Sequence, residues 1–283
     1  MSTIIKKIII IQALLLCFLL FIFGYTSNKK QEHAQQTTTT NQEFSATEQD
    51  NENTSQTDQT IDTETFTMPI LGFHHIGIAP ASLSSSAKEW YVSTQKFIEI
   101  LDLVAQYEYT PITAADLVTA FETKHIANKP IMITFDDGNI DFYTTVFPII
   151  KERNIPVTLA IMTGVGGKNY VIKEQLKEMN ESGLVDIQSH TKYHAYLTRI
   201  SKEERMPELQ DSKAFIENLL GKKADVLFYP FGLHDDDVIT DAQEAGYTLG
   251  VTIIPSTTQY INKPFELQRN LIVEYTNVQA LLE

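Results

Sequence analysis

The sequence predicts an α/β fold with a parallel sheet, because short apolar runs alternate with helix-like stretches from residue 68 onward. Six runs have the length of buried strands: Ile70 to Phe73, Ile131 to Phe135, Val157 to Met162, Val185 to Gln188, Val226 to Tyr229 and Leu249 to Ile254. Three stretches between them read as helices that end at a glycine: Lys173 to Ser182, Glu203 to Leu220 and Asp236 to Ala245. A segment of about 215 residues can bury one sizeable core but is short for two domains. We therefore expect one α/β domain over residues 68–283.

Two acidic residues stand where the second apolar run ends. Asp136 and Asp137 directly follow Phe135 and precede Gly138. Folds with parallel strands place their chemistry at the carboxyl ends of those strands. A turn at glycine can bring both carboxylates into one pocket. An Asp-Asp-Gly triplet alone is also typical of a solvated turn, so a second motif is needed to indicate function.

Two histidines supply that second motif. His190 and His194 follow the strand-like segment Val185 to Gln188, and they would share a face if their loop makes a helical turn. One carboxylate and two neutral imidazoles form a donor set for zinc or a similar divalent ion, with a position left open for water. The other carboxylate could then accept a proton from that water. Together the two motifs predict a hydrolytic metal site.

Four short segments match, in order, the motifs of a known family. They are Leu71-Gly72-Phe73-His74-His75-Ile76, Phe135-Asp136-Asp137-Gly138, His190-Thr191-Lys192-Tyr193-His194 and Phe228-Tyr229-Pro230-Phe231-Gly232. On these motifs the chain resembles the polysaccharide deacetylases with a NodB-homology domain, and in particular the poly-β-1,6-N-acetylglucosamine deacetylases. The resemblance implies a distorted (β/α) barrel of seven or eight strands. It also implies a divalent metal cofactor, with Zn²⁺ preferred and Co²⁺, Ni²⁺ or Fe²⁺ as alternatives.

The resemblance further implies roles for individual residues. Three residues would bind the metal: Asp137, His190 and His194. Asp136 would be the general base acting on metal-bound water, and the backbone N–H of Tyr229 would help to hold the oxyanion of the tetrahedral intermediate. Three residues are expected to contact the substrate: Tyr193, Tyr196 and Pro230. The two tyrosines could instead pack against a helix face.

The chain departs from the family pattern at two points. Many members carry Arg two residues before the proline of the third motif, where this chain has Phe228. Many also end in a Leu-x-His motif that supplies the general acid, whereas Leu267 to Val273 contains no histidine. In the branch that the chain resembles, the opening histidine takes that place. His74 is therefore the candidate acid, ahead of His75, with a satisfied strand histidine as the alternative, and Trp90 is expected in the core.

Residues 1–27 are expected to be a targeting segment. Lys6 and Lys7 precede a run from Ile8 to Phe23 that is apolar apart from Gln12, which gives a charged region followed by a long hydrophobic region. No clean small-x-small cleavage site follows, so we favour an uncleaved signal anchor over a cleaved signal peptide or lipidation at Cys17. Residues 28–67 are rich in Gln, Thr, Asn and Glu and are expected to be a disordered linker. This linker would hold the domain on the outer side of the cell membrane.

The net charge of −14 argues against a nucleic-acid partner. The sequence also shows no basic stripe with interleaved aromatic residues. The expected partners are an N-acetylglucosamine polysaccharide and, through the N-terminal segment, the membrane, with the protein acting as a monomer. The expected function is metal-dependent deacetylation of an extracellular or cell-wall polysaccharide. Two alternatives remain open: peptidoglycan or chitooligosaccharides as substrate, and a catalytically weak carbohydrate-binding or wall-scaffold module on the same fold.

Overall fold

The computed structural model describes residues 58–61 and 64–283. The predicted signal segment, residues 1–27, and most of the predicted linker lie outside the described residues. Within the described part of the chain, no helix combines the length and the apolar character needed to cross a membrane.

The strands of the described residues are short, and those of the main sheet are largely buried. In chain order they are β1 (Gln59–Thr60), β2 (Thr65–Thr67), β3 (Ile70–Phe73), β4 (His75–Ile76), β5 (Tyr91–Val92), β6 (Thr110–Ile112), β7 (His125–Ile126), β8 (Pro130–Phe135), β9 (Val157–Ile161), β10 (Val185–Ser189), β11 (Val226–Phe228), β12 (Leu249–Val251), β13 (Thr258–Tyr260) and β14 (Asn270–Leu271).

Eight of these strands form one parallel sheet, in the order β12-β11-β10-β9-β8-β3-β14, with β6 also paired to β8. Because all of them run the same way, their carboxyl ends meet at one edge of the sheet. The predicted α/β fold, a distorted (β/α) barrel, is confirmed.

Helices connect the strands. They are α1 (Ser85–Lys88), α2 (Thr94–Gln106), α3 (Ala114–Thr123), α4 (Phe147–Arg153), α5 (Lys173–Glu181), α6 (Lys202–Leu220), α7 (Asp236–Glu244) and α8 (Gln279–Leu282). Helix α6 begins at a capping box between Ser201 and Glu204 and ends at Gly221, which adopts the left-handed conformation with φ of 66°. The three helices predicted from the sequence match α5, α6 and α7 to within one or two residues at each end.

The alternation of side chains along β8 determines the direction in which Asp136 points. In β8, Ile131, Ile133 and Phe135 pack into one apolar cluster, whereas Met132 belongs to a second cluster on the opposite face. Successive strand side chains alternate between faces, so Asp136 continues the face of Met132 and Thr134. The base candidate therefore points toward the interior of the curved sheet.

The folded part begins earlier than residue 68. Strand β1 pairs with β7, and β2 pairs with β13. Ile61 and Phe66 are buried in the core. Ile61 and Phe66 lie in a polar stretch of sequence that shows no strand pattern. The folded domain therefore begins before residue 68, where the sequence placed the boundary with the linker.

Candidate active site

Ionisable side chains converge at the carboxyl edge of the sheet. His74 follows β3, Asp136 and Asp137 follow β8, and His190 follows β10. They line a cleft of about 910 Å³, together with His194.

The three predicted metal ligands lie together. One ligand atom each from Asp137, His190 and His194 can be chosen so that all lie within 4.8 Å of one another. The Asp137 carboxylate is 3.7 Å from Nε2 of His190 and 4.0 Å from Nε2 of His194. Asp137 has a positive φ of 72°, the backbone turn that swings its carboxylate away from the side on which Asp136 lies.

Hydrogen bonding and burial prepare both imidazoles to act as ligands. His190 is almost fully buried, and its Nδ1 lies 2.8 Å from the carbonyl oxygen of Phe228. A carbonyl only accepts, so Nδ1 carries the proton and Nε2 keeps its lone pair for a metal. Burial and the neighbouring His190 lower the pKa of His194 to about 4, which keeps its ring neutral near pH 7.

Asp136 is held by an arginine that the sequence reasoning missed. Arg269, which is fully buried, donates from Nη1 and Nη2 to the two carboxylate oxygens of Asp136 at 2.7 and 2.8 Å. Burial alone would raise the pKa of Asp136, but the charge and hydrogen bonds of Arg269 outweigh it and hold that pKa well below its usual value. Asp136 is thus ionised and rigidly placed.

The surroundings of Arg269, which directly precedes β14, explain how its side chain reaches the site. Its Nε donates to the carbonyl oxygen of Thr252 at 3.1 Å, and its guanidinium lies 5.1 Å from the centre of the Phe228 ring. A side chain at Gly72 would come within 3.1 Å of the Arg269 stem, so glycine leaves it room. The Phe228 ring therefore packs against the guanidinium of Arg269.

His74 lies beside Asp136. Its Nε2 is 3.9 Å from the Asp136 carboxylate, and its ring packs at 4.6 Å against the ring of Trp90. Burial lowers the pKa of His74, and the carboxylates of Asp136 and Asp137 oppose that shift without reversing it. The neighbouring His75 instead contacts Asp141 and stacks on Tyr91 at 4.2 Å.

The prediction for Tyr229 was wrong. Its backbone N–H donates to the carbonyl oxygen of Val251 at 3.1 Å, a bond between β11 and β12, so this group is already engaged. Two residues further on, Phe231 lines the cleft, has a left-handed φ of 59°, and occupies the second position of a 3₁₀ turn, where a backbone N–H has no partner within the turn.

The cleft walls differ from the predicted substrate contacts. Tyr193, Tyr196 and Pro230 do not line the cleft. Tyr196, partly exposed, stacks on Phe231 at 3.9 Å and so stands behind the wall. Trp90, expected in the core, is 40% exposed and lines the cleft, because the segment between β4 and β5 lies at the rim.

Comparison with known proteins finds a family similarity over the segment that carries both motifs. A family model described as polysaccharide deacetylase matches residues 124–250, which include both carboxylates and both ligand histidines. Over these residues the chain is similar to the polysaccharide deacetylases. Because the match spans β8 to β12, it covers the segment that builds most of the site.

Members of the deacetylase family resemble this chain over most of its length. YxkH of Bacillus subtilis, provisionally named a polysaccharide deacetylase, is 28% identical over 206 residues, or 71% of this chain and 70% of that protein. The poly-β-1,6-N-acetyl-D-glucosamine N-deacetylase of Staphylococcus aureus is 25% identical over 205 residues, or 68% of this chain and 71% of that protein. The structure of the Streptococcus pyogenes deacetylase PplD, in complex with acetate, superimposes with a TM-score of 0.71 at 26% identity, covering 77% of this chain and 99% of that chain.

Proposed function

We propose that this protein removes acetyl groups from N-acetylglucosamine units of an extracellular or cell-wall polysaccharide, with the help of a divalent metal. The observation that carries the proposal is the placement of three metal-ligand side chains beside an ionised carboxylate and a histidine, all in one cleft. The S. aureus relative, named as a poly-β-1,6-N-acetyl-D-glucosamine N-deacetylase, supports the substrate class.

The donor set fits a divalent ion such as zinc. Asp137, His190 and His194 offer one carboxylate and two neutral imidazoles, and His190 has the outer hydrogen bond that fixes the ring of a zinc ligand. The chemistry supplied at such a centre is polarisation of the amide carbonyl and activation of water. We propose Zn²⁺ as the ion bound there.

Asp136 is the proposed general base. Each of its oxygens accepts one hydrogen bond from Arg269, which leaves lone pairs that can take the proton of the attacking water. Because Arg269 keeps the carboxylate ionised, the base is ready near pH 7. Arg269 itself acts as a positioning residue.

His74 is the proposed general acid. Cleavage of the carbon–nitrogen bond leaves an amine that must gain a proton, while the acyl carbon departs as acetate. His74 Nε2 lies 3.9 Å from the Asp136 carboxylate. The base can therefore act on the attacking water and the acid on the leaving nitrogen of the same tetrahedral intermediate. The backbone N–H of Phe231 is the proposed donor to the oxyanion, in place of that of Tyr229.

Aromatic rings at the rim suit a sugar substrate. Trp90 and Tyr91 line the cleft next to His74 and His75, and Phe231 lines it beside His194. Flat apolar faces with a polar floor match a pyranose ring, whose C–H faces pack on aromatic rings. We propose that Trp90 contacts the sugar that carries the scissile acetamide.

The rival proposal, a catalytically weak binding module, depended on the missing arginine of the third motif and the missing terminal histidine. Arg269 and His74 both reach Asp136 from other parts of the chain. These contacts favour the enzyme over the module. Peptidoglycan and chitooligosaccharides remain the alternative substrates.

We also propose that residues 1–27 anchor the protein in the cell membrane and that a polar linker holds the domain on its outer side. The charged start and the apolar run from Ile8 to Phe23 support this proposal.

Metal analysis of the full-length protein tests the proposed function. We expect one divalent ion per chain, with acetate released from poly-β-1,6-N-acetylglucosamine. His194→Ala should lose both the ion and the activity, because two ligands do not hold the metal tightly. Full occupancy in His194→Ala would contradict the assignment of ligands.

A further inference from the structure

The loop that carries both ligand histidines has an unfavourable backbone. It runs from His190 to His194, and two of its residues, Thr191 and His194, have positive φ angles of 64° and 58°. The left-handed conformation is disfavoured for any residue with a Cβ, and most of all for a β-branched residue such as threonine. Such a conformation persists only where the surrounding structure imposes it.

A carboxylate on helix α6 supplies that constraint. Oε2 of Glu208 accepts hydrogen bonds from the backbone N–H groups of Lys192 and Tyr193 at 3.0 and 2.7 Å. These two residues are consecutive and lie between the two histidines. The backbone carbonyl of Glu208 also lies 3.1 Å from the Lys192 nitrogen. The carbonyl groups of Thr191 and Lys192 accept from Thr163 and Gly164, so Glu208 is the residue that binds the N–H groups at the centre of the loop.

Glu208 is a buried carboxylate rather than a surface charge. It is only 9% exposed, so its carboxylate has lost most of its hydration and needs donors. Hydrogen bonds from N–H groups to an ionised carboxylate are short and strong. By contrast Asp211, one turn further along α6, pairs with the side chain of Lys192 at 2.8 Å and is largely exposed.

A second contact from α6 secures the start of the loop. Ser212 and Ser189 share a hydrogen bond of 2.8 Å between their hydroxyl oxygens, and Oγ of Ser189 accepts from the N–H of Thr191 at 3.2 Å. This contact fixes His190 at the end of β10. The N–H of His194 in turn donates to Oγ1 of Thr191 at 3.0 Å, and Glu208 binds the loop between these two residues.

We infer that Glu208 is a positioning residue for the metal centre: it sets the loop backbone so that the imidazole of His194 faces Asp137 alongside that of His190. Glu208 acts through the backbone of Lys192 and Tyr193 and does not touch the metal. The inference rests on the proposed function, because it assumes that the three residues bind a metal.

The test compares variants of the full-length protein, Glu208→Ala and Glu208→Gln, with Asp211→Ala as a matched control on the same helix. Zn²⁺ affinity is measured by competition with a chromophoric chelator. Hydrogen exchange of the segment 190–194 is measured in the metal-free protein. Glutamine keeps an acceptor oxygen of nearly the same reach, whereas alanine removes it.

We expect Glu208→Ala to weaken Zn²⁺ binding about 10- to 100-fold, the usual effect of losing an outer partner of a metal ligand. Its loop amides should exchange faster without metal. Glu208→Gln should stay within about threefold of the parent because its amide oxygen still accepts, and Asp211→Ala should match the parent, since an exposed ion pair contributes little. If Glu208→Ala does not fold, Glu208→Asp, whose carboxylate falls short by one methylene, replaces it with the same expectation.

Unchanged Zn²⁺ affinity in Glu208→Ala would overturn the inference, and so would equal losses in the Gln and Ala variants. A parent protein that binds no Zn²⁺ would instead refute the proposed function. The hydrogen exchange of the metal-free loop would then still decide whether Glu208 holds it, because unchanged exchange in Glu208→Ala would contradict that contact.

Discussion

Replacing Arg269 with methionine gives the sharpest test of how the base is prepared. Arg269→Met keeps much of the side-chain volume but leaves the Asp136 carboxylate buried without its cation. Breaking a buried ion pair in this way costs about 3–5 kcal/mol. At 1.36 kcal/mol per pKa unit, a penalty of this size on the ionised form raises the pKa of Asp136 by about 2–4 units.

Two measurements follow from that shift. In the parent, the folded-state pKa of Asp136 lies below its unfolded value, so its stabilising effect is present above the unfolded pKa and is lost as the pH falls through the folded pKa. In Arg269→Met the folded pKa of Asp136 rises to about the unfolded value, so this stabilising effect is lost. The gap in free energy of unfolding between the two proteins, measured in urea, should be full at pH 7 and should narrow only as the pH falls below about 4, where Asp136 takes up a proton in the variant but stays ionised in the parent.

The acid limb of the pH profile of kcat/KM should also move. For Arg269→Met we expect it about 2 units or more above that of the parent, because the base must be ionised to act. Arg153→Met is the matched control: it removes an exposed arginine paired with Asp102, a contact worth at most about 1 kcal/mol. An acid limb within half a unit of the parent, or a stability loss no larger than that of Arg153→Met, would refute the reasoning.

Three further predictions concern the base, the cleft wall and the N-terminal segment. Asp136→Asn should keep its zinc but lower kcat by about 10²–10⁴-fold, because an amide does not take up the proton of water; a loss of less than tenfold would exclude Asp136 as the base. Trp90→Ala should raise KM several-fold through lost ring contact, worth about 1 kcal/mol, with little change in melting temperature, and an unchanged KM would remove Trp90 from the substrate site. The full-length protein should fractionate with membranes, and external protease should cut within residues 28–57; a soluble form that begins near residue 27 would show a cleaved signal instead.

The sequence predicted those strands and helix ends that depend only on the residues within the element itself. The run that became β8 is apolar apart from Thr134, as buried parallel strands largely are, and Gly221 marks the end of α6 because glycine adopts the left-handed cap without strain. The motifs at the strand ends could be placed at one edge of the sheet by topology alone.

Long-range contacts were beyond that reasoning. Arg269 lies 133 residues after Asp136 in the chain, and nothing in its own segment names its partner. One signal was present, since a single arginine interrupts the otherwise uncharged segment Leu267 to Val273. The donor role of Tyr229 failed because a backbone N–H can be assigned only when the pairing of β11 with β12 is known.

Acetate release by the full-length protein tests the central claim most directly. Poly-β-1,6-N-acetylglucosamine, chitooligosaccharides and peptidoglycan are compared side by side, each with metal-loaded protein, with chelator-treated protein and with chelator-treated protein after Zn²⁺ is restored. We predict release that is greatest on poly-β-1,6-N-acetylglucosamine, absent after chelation and recovered with Zn²⁺. Release that survives complete removal of metal, or no release from any of the three polymers by the metal-loaded protein, would contradict a metal-dependent deacetylase.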